Sequence, residues 1–266
     1  MFDVLLITST GVLNNIIQII VGCLLSLLLY YASGNKIKGA DISHFQNILI
    51  ILLASLSGML LPLTAYGLIP VLGVMFKLGC KPGSVIPLLV SNALFNTQIP
   101  FTDPSFIWRT GINRVIFAFV AGVCAGMIIN KLNLGETTLL KSKELTSLWE
   151  KPQNISGMAS LFMRSINTFG IYLVIGVTLD TILHEYVLDT VIDFVFTNPY
   201  TMAIPTFFST YDVVNPFFLL TMKIVYMFLN LTRMSALLAV LKLKGFAAYT
   251  GYYSILAILL AIPAFV

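Results

Sequence analysis

From Ile48 to Phe76 the chain runs 29 residues without a charged side chain, with prolines at positions 62 and 70 inside the run. As one straight helix this stretch would measure about 44 Å, against a bilayer hydrocarbon core of about 30 Å. A segment this apolar, too long for one crossing and lacking two backbone N–H groups, must break or turn back on itself. Simpler apolar runs occupy Gly11 to Tyr31, Ile112 to Asn130, Leu161 to Leu183 and Phe246 to Val266. Others are interrupted: Pro82 to Thr102 by Pro87 and Pro100, Val187 to Thr210 by Pro199 and Pro205. Pro216 to Leu241 carries Lys223, Asn230 and Arg233. Hydrophobic residues make up 58% of the 266 and charged residues only 10%, where soluble domains carry about 45–50% and about 25%. A soluble domain and a disordered chain are both excluded. The expectation is an all-α polytopic membrane protein of about eight membrane segments, some of them Pro-broken or re-entrant half-helices.

The net charge is +4, but the basic residues are scattered singly rather than gathered on one face, so no nucleic-acid partner is expected. Cys23, Cys80 and Cys124 are far apart and form no Cys-x-x-Cys pair. His44 and His184 stand 140 positions apart. Neither a disulfide framework nor a metal site is expected, and no cofactor. Met1 to Thr10 lacks the basic start of a secretory signal, so the first apolar run is expected to remain as a membrane helix.

Charge asymmetry orients the segments. Lys131 to Arg164 holds five basic residues, whereas Asp180 to Asp193 holds four acidic residues and no basic one. The first stretch, with Ser33 to Asn47 and the pair Lys242 and Lys244, is expected on the cytoplasmic side; both termini and the acidic loop are expected outside. The chain then divides into a first membrane repeat over 1–130, a cytoplasmic linker over 131–160 and a second membrane repeat over 161–266. Each half crosses an odd number of times, so the halves are expected to be inverted relative to one another, with a site near the midplane between them. A shift of 134 residues matches Pro82 with Pro216, Asn96 with Asn230 and Gly111 with Gly245.

The stretch Pro62-Leu63-Thr64-Ala65-Tyr66-Gly67-Leu68-Ile69-Pro70, the turn Gly79-Cys80-Lys81-Pro82-Gly83, Asn92 to Asn96, Arg114 to Gly126 and Phe169 to Gly176 together resemble the predicted permease family that includes the organoarsenical efflux permeases. Those permeases read Cys-Ser-Cys-Gly between the two prolines, where this chain has Thr64, Ala65, Tyr66 and Gly67. The resemblance implies an eight-segment, two-repeat permease in a prokaryotic plasma membrane. Binding of trivalent arsenic by soft thiolates does not carry over, because the thiols are missing.

Thr64 and Tyr66, between two prolines, can replace water around a solute or satisfy carbonyls freed by the prolines. Asn92, Asn96 and Asn230 can line a pathway or join helices. Arg233 within an apolar run is a further substrate-binding candidate. Asp212 and Lys223 are candidates for ion or proton coupling, with snorkelling to the surface the alternative for both cations. No His-Glu-x-x-His, Gly-x-Ser-x-Gly or Walker sequence is present, so an enzyme is not expected. Two functions remain: a secondary transporter moving a small molecule or ion, and a membrane-embedded subunit of a multi-protein permease or assembly complex without transport activity alone; a partner membrane subunit or a second copy of the chain is the expected protein partner.

Overall fold

A computed structural model describes residues 2–33, 44–96, 104–131, 141–149, 155–188, 224 and 230–264. Helix dominates these residues, and no β-strand occurs among them. In chain order the helices are α1 (Phe2–Ser33), α2 (His44–Leu60), α3 (Ala65–Lys77), α4 (Pro82–Asn96), α5 (Pro104–Lys131), α6 (Ser142–Ser147), α7 (Ile155–Ile182), α8 (Leu231–Val240) and α9 (Leu243–Ala264). The last turns of α7 widen into a π-helical stretch over Leu183–Leu188. Among the described residues, two helices, over Val4–Ser33 and Met158–Tyr186, are long and apolar enough to cross a membrane.

The long uncharged run breaks at Pro62, whereas Pro70, also expected to interrupt it, lies inside α3 without breaking it. Leu61 to Thr64 is non-helical, so α2 ends and α3 starts anew with Thr64 as N-cap. Helix α3 ends at Lys77 and the chain turns away at Gly79, whose φ of +87° suits glycine, while Gly79 N–H donates to Phe76 O and Cys80 N–H to Met75 O, each at 3.0 Å. Pro82 then occupies the first turn of α4, where its missing N–H costs nothing. Pro87 was expected to interrupt this segment, but α4 continues unbroken to Asn96. The carbonyl that Pro87 leaves without its helical N–H is that of Gly83, and α5 presses Gly126 against it. A side chain at 126 would collide there, so glycine lets the two backbones meet.

Neighbour contacts set the chain directions. Ile51 and Gly83 both flank Gly126, Ser55 and Ser91 flank Gly122, and Asn92 reaches Leu61. Thus α2 and α4 run together, and α5 runs against both. Gln18 and Gly22 of α1 lie on Gly67 of α3, whereas Tyr30 stacks on Trp149, which itself donates to Pro70 O. Helices α1 and α3 therefore run alongside each other. Gly11 meets Val177 while Cys23 meets Ser165, so α7 opposes α1; Gly176 meets Ser235 while Asp180 meets Leu231, so α8 opposes α7. Tyr252 of α9 reaches Ala121 of α5, and Tyr253 reaches Val90 of α4.

These directions put the connections of opposite charge at opposite ends. The α3–α4 turn with Lys77 and Lys81, the 141–149 stretch, and the α8–α9 turn with Lys242 share one end; the π-helical turn with Glu185 is at the other. The described part of the linker is well packed. Leu145, Leu148 and Trp149 are buried against α3, while Lys141 N–H donates to Val240 O (2.9 Å) and Lys141 Nζ to Leu238 O (3.1 Å). The linker thus caps the carbonyl end of α8, and a lysine suits that end's partial negative charge.

Helix α1 is amphipathic in the opposite sense to a helix of a water-soluble protein. Leu5, Leu13, Ile17, Leu24 and Leu28 are exposed, Leu28 by 66%. Its inward stripe reads Thr8, Gly11, Asn15, Gln18, Gly22 and Ser26 at spacings of three and four residues. Gly22 lies so close to the Gly67 carbonyl that a Cβ would overlap it. Small and polar residues inside with leucines outside are the pattern of close helix packing in lipid.

Candidate functional site

Helices α3 and α8 both start at one cavity. It has a volume of about 570 Å3, and its walls include Asn14 and Asn15 of α1, Pro62 to Tyr66 at the break, Asn96 of α4, Asp180 and His184 of the α7 region, and Asn230, Thr232 and Arg233 of α8. Five of the six residues expected to bind substrate, namely Thr64, Tyr66, Asn96, Asn230 and Arg233, line it. Asn92 does not. Asp212 and Lys223 lie outside the described residues.

Asn92 is instead a brace for the break. It is 2% exposed, and its Nδ2 is within hydrogen-bond distance of three carbonyls, Gly58 O (3.1 Å), Leu61 O (3.1 Å) and Leu63 O (3.2 Å). The end of α2 leaves carbonyls without helical partners, and this amide supplies the missing donors. Asn96 Nδ2 adds a fourth contact, to Leu61 O at 3.0 Å, while Asn96 still faces the cavity.

Tyr66 spans the two short helices. Ser235 Oγ donates to Thr232 O (2.8 Å), so the Tyr66 hydroxyl donates to Ser235 Oγ (2.8 Å) and joins α3 to α8. Arg233 Nη1 donates to Ala93 O near the end of α4 at 3.2 Å. Asn230 is the N-cap of α8, its Oδ1 accepting from Arg233 N–H at 2.7 Å. Asp180 closes the same terminus: Oδ1 accepts from Leu231 N–H (2.7 Å) and Oδ2 from the Thr232 hydroxyl (3.0 Å). A carboxylate at a helix N-terminus opposes the partial positive charge there.

The match of Asn96 with Asn230 pairs unlike surroundings, since Asn96 ends a helix and Asn230 begins one. They share the cavity through tertiary packing rather than through equivalent local structure. The cavity is also off-centre. It meets α1 between Ile7 and Asn15 and α7 from Val177 onward, about 10 Å from the midpoint of α1, at the end opposite the linker.

Asp180, Thr232, Asn15 and His184 were not anticipated as site residues. Asp180 and His184 read as parts of an outer acidic loop, but α7 and its π-helical turn carry both into the cavity wall. His184 Nδ1 lies 2.8 Å from the Asp180 carbonyl and 3.9 Å from Asp180 Oδ1. The polar stripe of α1 was legible as a 3-4 spacing and could have brought Asn15 forward. Among the described residues, no group of three or more His, Cys, Asp or Glu gathers as a metal site would need. Compared with known proteins, the chain matches no family model, no curated protein and no solved structure.

Proposed function

We propose that the chain is a multi-pass membrane permease, a secondary transporter that moves a small solute through the cavity where α3 and α8 begin. The observation that carries this is the meeting of the helix break before α3 and the start of α8 at a polar cavity in a bundle whose outward face is leucine-rich. Interrupted helices are tolerated at membrane depth only where protein or a watery cavity satisfies their backbone, and transporters place solute sites at such interruptions. The resemblance to the predicted permease family agrees, because Thr64 to Gly67, which stand where the organoarsenical permeases have Cys-Ser-Cys-Gly, open α3 at this cavity.

In this proposal the membrane is crossed about eight times, in two halves of opposite sense. The charge bias puts the linker in the cytoplasm and the cavity toward the outer side.

Purified protein in liposomes, assayed with a solute panel under pH, sodium and potential gradients, should show saturable flux of at least one solute. Flux of none would remove the transporter. Single cysteines at Lys141 and Glu185 should label from opposite sides of intact cells, Lys141→Cys only after permeabilisation; labelling of both from outside would overturn the orientation.

A further inference from the structure

We infer that the cleft between α4, α5 and α9 holds one acyl chain of an anionic phospholipid of the inner leaflet, with the lipid phosphate against Lys131 and Lys244. The inference needs the bundle to sit in a bilayer with its lysine-rich end inward. It does not need the chain to transport anything.

Helix α9 is tied to its neighbours by tyrosines. The Tyr252 hydroxyl donates to Ala121 O of α5 (2.7 Å), the Tyr253 hydroxyl to Val90 O of α4 (3.0 Å), and the Tyr249 hydroxyl to that of Tyr253 (3.3 Å). Beside these contacts the three helices part and leave a cleft of about 360 Å3. Val90 and Ala125 are its buried floor, while Ile128, Ala248, Gly251 and Ile255 are its exposed rim. A Cβ added at Gly251 would meet no atom within 4 Å, so the walls do not close there. Among the lining side chains only Tyr249 and Tyr252 carry a polar atom, and both hydroxyls are already engaged. A water or a polar solute would need polar partners that this cleft does not offer. A hydrocarbon chain needs none, and the exposed rim opens on the face that lipid covers.

Charge selects the headgroup. Lys131 follows Ile128 by three residues on α5, and Lys244 precedes Ala248 by four on α9. Residues so spaced share a helix face, so each lysine continues a wall of the cleft one turn beyond its apolar lining. Both are exposed, and among the described residues no carboxylate pairs with either. Lys77, Lys81 and Lys242 stand at the same end of the bundle, whereas the described acid there, Glu144, belongs to α6, which packs on α3. An apolar slot that ends at two cations matches a hydrocarbon chain followed by a phosphate. Basic sites between helices at the cytoplasmic surface favour lipids with net negative charge over zwitterionic ones.

The test uses the full chain in detergent, titrated with phosphatidylglycerol and phosphatidylcholine of identical acyl chains and read by native mass spectrometry. One phosphatidylglycerol should be retained about tenfold or more tightly than phosphatidylcholine, since each lysine at the membrane surface contributes about fivefold toward an anionic lipid. Lys131→Gln combined with Lys244→Gln should remove that preference and leave phosphatidylcholine unchanged. Gly251→Leu puts a side chain into the open space and should weaken both lipids about fivefold or more; Ala248→Leu repeats the test should Gly251→Leu not fold. Glycerol phosphate, a phosphate without the chain, should not displace the lipid. The inference is overturned if the two lipids bind equally, if the preference survives loss of both lysines, if filling the cleft leaves lipid retention unchanged, or if glycerol phosphate competes as well as the lipid. Loss of self-association in Gly251→Leu with lipid retention intact would assign the cleft to a second copy of the chain and overturn it too. Lipid retention is read without flux, so failure of this site and failure of the transport reading are separate results.

Discussion

The starts of α3 and α8 open on the same cavity but are finished differently. The break before α3 is braced from its carbonyl side, where the amides of Asn92 and Asn96 gather the loose oxygens of Gly58, Leu61 and Leu63. On its N–H side, among the described residues, only the long bond from Gly67 N–H to Thr64 Oγ1 closes it. The start of α8 is finished from the N–H side, where Asp180 and Asn230 supply oxygens. One junction is held by neutral donors on a neighbouring helix at its carbonyl side; the other uses a carboxylate at its N–H side. A broken helix can thus be stabilised from its carbonyl side as well as from its amide side.

The comparison makes Asn92 the most expensive residue to remove. Asn92→Leu keeps much of the volume but strands buried carbonyls at about 1–3 kcal/mol each, so a loss of about 2–4 kcal/mol is expected in thermal or denaturant unfolding of the solubilised protein. A loss below about 1 kcal/mol would mean that the α2–α3 break is satisfied in some other way. Asp180→Asn should cost less, about 1–2 kcal/mol, because the amide still offers one acceptor to Leu231 N–H while the charge at the helix terminus is lost. If Asp180→Asn proved more damaging than Asn92→Leu, the ranking of the two junctions would be reversed.

Tyr66→Phe removes one hydroxyl bond between the short helices and leaves Ser235 bonded to Thr232, so about 0.5–1.5 kcal/mol should be lost. Because this bond ties α3 to α8, a double-mutant cycle with Ser235→Ala should show coupling; strict additivity would show that the helices are held together elsewhere. The smallest effect is expected from Thr64→Ala, about 0.5 kcal/mol, since the cap bond is long and cap losses are modest. A Thr64→Ala loss equal to that of Asn230→Ala would erase the distinction between a lightly and a firmly capped helix start.

Much of this arrangement was legible in the chain. Pro62 foretold the break, because proline lacks the N–H that would continue the helix, and the 29-residue run was too long for one crossing. Thr64, Tyr66, Asn96, Asn230 and Arg233 drew notice as polar residues in apolar surroundings, and all five reach the cavity. Asn92 drew notice for the same reason and is a brace instead. An asparagine that feeds carbonyls and one that faces a cavity look alike in sequence, since the difference lies in what stands across from the amide. Pro87 misled in the other direction: its ring interrupts no helix, because Gly126 of α5 closes on the carbonyl that it frees.

Composition and the spacing of prolines and charges by themselves determined that the chain is helical, that its longest apolar run breaks near Pro62 and that its basic and acidic connections are unevenly distributed. Those properties follow from backbone chemistry and transfer energies, which act over a few neighbouring residues. Only the tertiary structure decided that α3 and α8 start at one cavity, that Asp180 serves a helix 51 residues further along the chain, and that the linker's Trp149 packs on α3. These depend on which helix faces run together and where two backbones can touch, as at Gly22 and Gly67. Close packing selects such partners through three-dimensional fit, and a single glycine shows its importance only when the atom opposite it is known.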